Sequence, residues 1–452
     1  MDGQPRDVVV VGSGPGGAVV ARELARAGRQ VTLLERGRDW RRSPVYGRYA
    51  GPLLYAKRSG LLFTREGLNI VRPLMVGGAT SMYCGCSAPP RPWWKDRYGI
   101  HLDDDAEALS QELAIAPLPS ELRGHASTRL AEAADELGME WEPQDKFMSP
   151  ARAPAFDCGA HCMLGCRCGA KWSAGEFVDQ AIEAGADLRT GVRVDRVRVE
   201  GGAVAGVEGR QGLRSFALEA EQVVLAAGGI GTPLILRRSG MEEAGRGMAM
   251  DSTVMVYGTA PFPGNGTEPP MTWSWADDER GVLYSTLIDP WLMYPIIMAA
   301  KGPSWSLTWP RWGRTLGVMI KLTDEVSGEV RSETDIRKGL SEQDRTRLAH
   351  AEGVAREILR RTGADPTTFV TTPVRGTHPS ATARIGHVVS TGLATDVDGL
   401  YVCDASVFPE ALGRPTVLTI LALGRRLARE LTVTPPASGS GSGNSARRRP
   451  GR

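Results

Sequence analysis

Apolar and polar positions fall into blocks along the chain. Asp7 to Val11 is a short apolar run that breaks at a glycine-rich turn. Helical spacing follows, then a second apolar run ending at Glu35, so residues 7–35 predict strand, turn, helix, strand. Residues 36–100 are rich in Gly, Pro and Arg and predict loops. Helical patterns occupy 105–138, including Ser127 to Leu137, and recur from Glu176 to Ala184. Strand-like runs lie at 188–199, 203–208 and Gln222 to Ala226. Residues 250–330, with many Trp, Met and Pro, predict β-like segments. A charged helix is expected from Ser341 to Arg361, a last strand from Leu400 to Cys403, and a last helix from near Thr416. Residues 434–452 predict a disordered tail.

At 452 residues the chain exceeds one ordinary core and predicts two intimately joined domains. The net charge of +2 sets up no global field for nucleic acid, which is not an expected partner. No run approaches the ~20 apolar residues of a membrane span, so no integral membrane segment is expected. The first strand begins almost at the N-terminus, which leaves no room for a secretion signal and predicts a cytoplasmic protein. The seven cysteines are mostly clustered and do not resemble a disulfide framework.

The first turn reads Gly12-Ser-Gly14-Pro-Gly-Gly17. Gly12 permits the tight turn, Gly14 lets the backbone approach a pyrophosphate, and Gly17 lets the helix pack on the strand. The pyrophosphate would sit on the helix N-terminus, where free N–H groups and the dipole favour an anion. Glu35 ends the second strand, where a carboxylate accepts the ribose hydroxyls. This pattern predicts a dinucleotide and does not by itself separate FAD from NAD.

Four further segments carry a family resemblance: Val76-Gly77-Gly78-Ala79-Thr80-Ser81-Met82; Gly228 to Gly240; His378-Pro-Ser-Ala-Thr-Ala-Arg-Ile-Gly386; and Asp398 to Pro409, followed by Val417-Leu-Thr419-Ile. Together they resemble the glucose–methanol–choline (GMC) oxidoreductases over most of the chain. The resemblance implies an α/β fold: a Rossmann-like FAD-binding domain interleaved with an α+β substrate domain built on an antiparallel sheet. It implies an FAD domain at 1–100, 172–250 and 385–433, a helical and Cys-rich lid region at 101–171, and a substrate domain at 251–384. It implies FAD contacts at Gly77, Gly78, Thr80, Val194, Gly228, Asp404, Ala405 and Thr419. The FAD is expected to be non-covalent, because no His occupies the glycine loop. Independently of the family, a helix N-terminus at Thr416 to Thr419 would stabilise the negative charge that hydride transfer leaves on a flavin.

The resemblance also implies oxidation of an alcohol to a carbonyl. Such a reaction needs a base near neutral pH, which suits His. Among the six His, His378 opens the segment similar to the family's catalytic-histidine motif. The family's second polar residue, Asn or His, is absent, and the chain reads Gly413-Arg414-Pro415-Thr416. Arg414 or Thr416 takes that place, or the position is structural. The expected partners are a small-molecule alcohol and an electron acceptor, whether dioxygen, a quinone or a redox protein.

Cys158, Cys162, Cys166 and Cys168 put four soft ligands within eleven residues. Two readings stand: an iron–sulfur cluster, as on a similar loop in some multisubunit sugar dehydrogenases of the family, or a thiol-rich lid loop without metal. Other functions stay open on the same scaffold, namely an FAD/iron–sulfur electron-transfer subunit and a flavin-dependent desaturase.

Overall fold

The computed structural model describes residues 6–56, 60–152, 156, 158, 161–299 and 302–433. The tail expected at 434–452 lies outside them. The fold is α/β, with two large sheets.

The first sheet starts from the N-terminal apolar run. Arg6–Val11 lies between Val31–Glu35 and Arg214–Leu225, parallel to both. Val8, Val9 and Val10 are fully buried, as a parallel strand covered on both faces must be. Asp187–Thr190 adds beyond Val31–Glu35, and Leu400–Val402 runs parallel to the end of Arg214–Leu225. The other half of that long strand pairs antiparallel with Ala203–Gln211, which pairs with Val192–Glu200. The run expected as one strand at 188–199 is thus two strands, parted at Gly191, whose φ of 69° is left-handed. The helix Pro15–Arg26 packs on Val417–Val433 and Gly175–Glu183. A Cβ on Gly16 would stand 1.8 Å from the Cys403 carbonyl oxygen, so only glycine lets this helix approach the sheet.

The second sheet is antiparallel at its centre, with Thr253–Thr259 between Thr315–Leu322 and Asp365–Thr371, and Val282–Thr286 and Trp273–Asp277 outside. Two short strands from inside the stretch read as the first domain, Leu61–Phe63 and Asn69–Val71, extend this sheet through Arg375–Gly376. Alternation gives it two faces. Val254, Val256, Val282, Val318 and Ile320 pack under the helices His125–Asp135 and Glu342–Arg361. Met255, Tyr257, Leu283 and Met319 point the other way, into a second cluster with Met271 and Met298. The segment expected to be β-like at 250–330 is interrupted by helical turns at Trp291–Met293, Tyr294–Met298 and Pro303–Arg314. Pro295, Pro303 and Pro310 cannot donate to a ladder, which is why no strand forms there.

Among the described residues no helix is long and apolar enough to cross a membrane.

Candidate active site

The glycine turn and the motifs far from it in sequence meet at one place. Gly12 has φ of 103°, and a Cβ there would stand 2.4 Å from the Ala226 carbonyl oxygen. A Cβ on Gly17 would stand 1.9 Å from the Gly12 carbonyl oxygen. In front of Gly14 the space is open, and no side chain caps the helix that starts at Pro15. The first N–H groups and the positive end of the helix therefore face a cradle suited to an anion. The Glu35 carboxylate accepts from the Ser13 N–H (3.0 Å), the Ser13 hydroxyl (2.6 Å) and the Gly37 N–H (2.7 Å). Three of its roughly four acceptor positions are taken up in holding the turn. Ser13, missed in the sequence, also accepts from the Gly77 N–H at 3.3 Å and so links the turn to the second glycine loop.

In that loop Gly77 and Gly78 are both left-handed, and a Cβ on Gly78 would reach Gly14 Cα at 2.8 Å. Thr80 is buried. Its hydroxyl donates to the Gly77 carbonyl (2.5 Å) and accepts from the Ala174 N–H (2.9 Å). The Asp404 carboxylate accepts from the Gly228 N–H (2.8 Å), the Thr232 hydroxyl (2.5 Å) and the Ser406 N–H (2.8 Å), and burial raises its pKa. It thus caps the helix Gly228–Arg238 and its own turn. The Ala381 N–H donates to the Ala405 carbonyl, and the Ala383 N–H to that of Ser406. The Thr382 hydroxyl donates to the Gly229 carbonyl at 2.8 Å. Thr419 is buried in the first turn of the last helix, and Val194 is buried opposite Gly209. The segments around Gly12, Gly77, Gly228, His378 and Asp404 are one neighbourhood.

His378 stands at the edge of that neighbourhood with about a quarter of its side chain exposed (26%). Its Nδ1 lies 2.7 Å from the Asp251 carboxylate, which is 1% exposed. A carboxylate accepts only, so Nδ1 carries the proton and Nε2 is left with its lone pair. Asp251 has φ of 46°, a strained conformation for a non-glycine residue. It is held there from several sides. Its other oxygen accepts from the Gly413 N–H (3.0 Å), and its own N–H donates to the Asp324 carboxylate (3.0 Å). Asp324 in turn takes the Met250 N–H, the Ser252 hydroxyl and the Lys338 ammonium at 3.3 Å, with both charged side chains at zero exposure. The Lys321 ammonium bonds the Thr377 hydroxyl (2.5 Å) and the Thr253 hydroxyl (3.3 Å). Burial, and then the Lys321 charge, lower the His378 pKa, and Asp251 pulls it back up. Asp251 precedes His378 by 127 residues, and its Met-Ala-Met-Asp-Ser context carries no motif, so sequence reading had no signal for it.

The structure places Arg414 in an ion pair, its guanidinium donating to Asp278 at 2.6 Å, an acceptor it shares with Arg91. The neighbouring Gly413 N–H, not the Arg414 side chain, reaches Asp251. Thr416 starts the last helix, its carbonyl accepting the Ile420 N–H. Among the described residues the four loop cysteines are not gathered into one ligand set. They stand as two pairs, Cys158–Cys162 at 3.3 Å and Cys166–Cys168 at 3.7 Å. Among the described residues no three His, Cys, Asp or Glu side chains are placed to share a metal. The loop is tied to the second glycine loop by a buried ammonium group, Lys171 Nζ donating to the carbonyls of Ser81, Tyr83 and Cys162. A second buried ammonium, Lys146 Nζ, donates to the carbonyls of Cys84 and Pro270.

A dinucleotide cradle joined to a half-buried His on a buried Asp, at the end of an antiparallel sheet, is the arrangement of a nucleotide-cofactor oxidoreductase. Comparison with known proteins gives the family. The GMC oxidoreductase models match residues 64–252 and 320–424, and an NAD(P)-binding Rossmann-like model matches 10–40. An uncharacterized GMC-type oxidoreductase of Mycobacterium tuberculosis is 30% identical, covering 93% of this chain and 75% of that protein. The long-chain-alcohol oxidase FAO4B of Arabidopsis thaliana is 25% identical, covering 92% and 65%. The solved pyridoxine 4-oxidase superposes with a TM-score of 0.72 at 18% identity, covering 94% and 99%, a likeness of fold. The chain belongs to the GMC oxidoreductase family and is an FAD-dependent oxidoreductase. The open space before Gly14 and the uncapped helix N-terminus fit the FAD pyrophosphate. Gly17→Ala, which drives a Cβ into the Gly12 carbonyl, is expected to cost roughly 1–3 kcal/mol and to release FAD on gel filtration. Full retention of the yellow chromophore would contradict this.

Proposed function

We propose that the protein oxidises the CH–OH group of an alcohol to a carbonyl with His378 as the base. FAD, when bound, supplies the hydride acceptor. The observation that carries the reading is the His378–Asp251 pair at 2.7 Å, with Nε2 free to take a proton. The substrate hydroxyl donates to Nε2. As the carbon gives up its hydride the hydroxyl proton passes to Nε2, and Asp251 stabilises the imidazolium through Nδ1–H. Burial and the Lys321 charge lower the His378 pKa and so disfavour the protonated form, which could not accept. The Gly12, Gly14, Gly17 turn, Gly77 and Gly78, and the turn at Asp404 and Ala405 hold the FAD, which is non-covalent because the 76–82 loop offers no His. The likeness to a long-chain-alcohol oxidase supports an alcohol with an apolar body.

Anaerobic bleaching of the flavin against a panel of primary and secondary alcohols tests the reaction. Apolar alcohols should reduce the flavin and sugars should not, and no reduction by any alcohol would end the reading.

Asp251 acts through His378 as a positioning residue. In Asp251→Asn the charge that raises the His378 pKa is gone, while an amide oxygen remains to accept Nδ1–H. The acid limb of the pH profile for flavin reduction, which reports protonation of the base, should therefore move to lower pH. The plateau should fall by about tenfold or more as the imidazolium loses its counter-charge. An acid limb that stays in place, or moves to higher pH, would show that Asp251 does not set the protonation of the base.

A further inference from the structure

Residues 291–314 take no part in the reaction above. In sequence they hold four Trp and three basic residues and no Asp or Glu. One side of the described part packs inward, with Tyr294 and Met298 buried in the Met-rich cluster and Trp305 and Trp312 leaning on it. The other side faces out. Leu307 is 82% exposed, and Leu292, Met293 and Trp309 are exposed with it. Trp309 stacks on Trp291, with ring centroids 4.7 Å apart. Arg311 and Arg314 are exposed on the same turn. Surface Leu and Trp scattered singly are ordinary, whereas a contiguous lobe of them interleaved with Arg has the composition of an interfacial anchor.

We propose that this lobe docks the enzyme on an anionic lipid bilayer. Leu292, Met293, Leu307 and Trp309 enter the boundary between headgroups and acyl chains, and Arg311 and Arg314 meet the lipid phosphates. Charge selects this occupant over a second copy of the chain. A self-complementary contact would set Arg311 and Arg314 against their own copies, and the segment offers no acidic residue to receive them. An anionic surface supplies the missing charge. The near-zero net charge of the whole chain does not oppose this, because the attraction is local and falls off within a Debye length. The docking does not depend on the reaction proposed above.

Flotation of the full-length, FAD-loaded enzyme with phosphatidylcholine vesicles, with and without phosphatidylglycerol, tests it. The wild type should float with the anionic vesicles. Leu292→Asp with Leu307→Asp should weaken partition by about tenfold or more at unchanged flavin spectrum and melting temperature. Arg311→Ala with Arg314→Ala should remove the preference for phosphatidylglycerol. The proposal is overturned if the wild type floats with neither vesicle, or if the double Asp variant floats as well as the wild type. It is also overturned if the lobe instead holds a dimer that the double Asp variant dissociates.

Discussion

In His378→Ala, FAD stays bound while its anaerobic reduction by the best alcohol slows by about 10²–10⁴-fold, or roughly 3–5 kcal/mol of barrier. Binding should survive because His378 lies at the rim of the cradle, and the cradle is held by other bonds, from Glu35 to Ser13 and from Asp404 to Gly228. The rate should fall because Nε2 is the lone pair that the His–Asp pair presents. Asp251, whose Oδ2 the substitution frees, is 1% exposed and stands behind the vacated ring, held by the Gly413 N–H. The loss should be partly recovered at high pH, where more of the substrate is already alkoxide. Stopped-flow reduction across pH reads all three features. Wild-type reduction in a variant that holds FAD would remove His378 from the mechanism, and alcohol oxidation through a base with it.

Lys338→Ala is expected to destabilise the fold by about 3–5 kcal/mol at neutral pH, the usual cost of leaving one partner of a buried ion pair uncompensated. Lys338 and Asp324 are both wholly buried. Lys338 Nζ also donates to the Glu325 carbonyl and the Ser327 hydroxyl, so the truncation orphans three acceptors. Burial already raises the Asp324 pKa, and Lys338 lowers it. Without Lys338 the folded-state pKa rises further above the unfolded value. The charge-dependent part of the penalty is therefore absent at acid pH, where Asp324 is protonated in both proteins, and grows as pH rises through its raised folded-state pKa. Asp324→Asn in the same background should restore part of the loss, because an amide oxygen still accepts the N–H groups of Met250 and Asp251. Denaturant unfolding at two pH values measures this. A loss below about 1 kcal/mol would show that the pair behaves like an exposed one. The same variant should reduce flavin more slowly, since the Asp324 carboxylate holds the strained backbone of Asp251.

Lysine usage shows how much such sites lie beyond sequence reading. The chain has seven Lys, and of the five among the described residues four, at 146, 171, 321 and 338, are buried. A compact ammonium with three donors fits a closed cluster of carbonyls and hydroxyls where a planar guanidinium would not. In the sequence these four are indistinguishable from any other Lys. The chain presented the helix starts, the strand at Val8 to Val11 and the glycine turn openly, because each rests on neighbours within a few residues. It left Arg414 and the four loop cysteines open, because residue type and spacing do not say which way a side chain turns or which sulfurs meet.

By itself, the sequence put forward His378 through the resemblance of its segment, and it determined the dinucleotide turn, the second glycine loop and the terminal helix. These are features of local backbone geometry, in which φ at a glycine or the period of apolar residues decides the outcome. Only the tertiary structure decided that His378 has a partner and that the partner is Asp251. That pairing needs two segments 127 residues apart, a left-handed backbone at an aspartate and a buried Asp324–Lys338 pair behind it. Desolvation makes such a charge network tolerable only when every member is in place, and neither Asp251, Asp324 nor Lys338 is marked by its own neighbours in the chain.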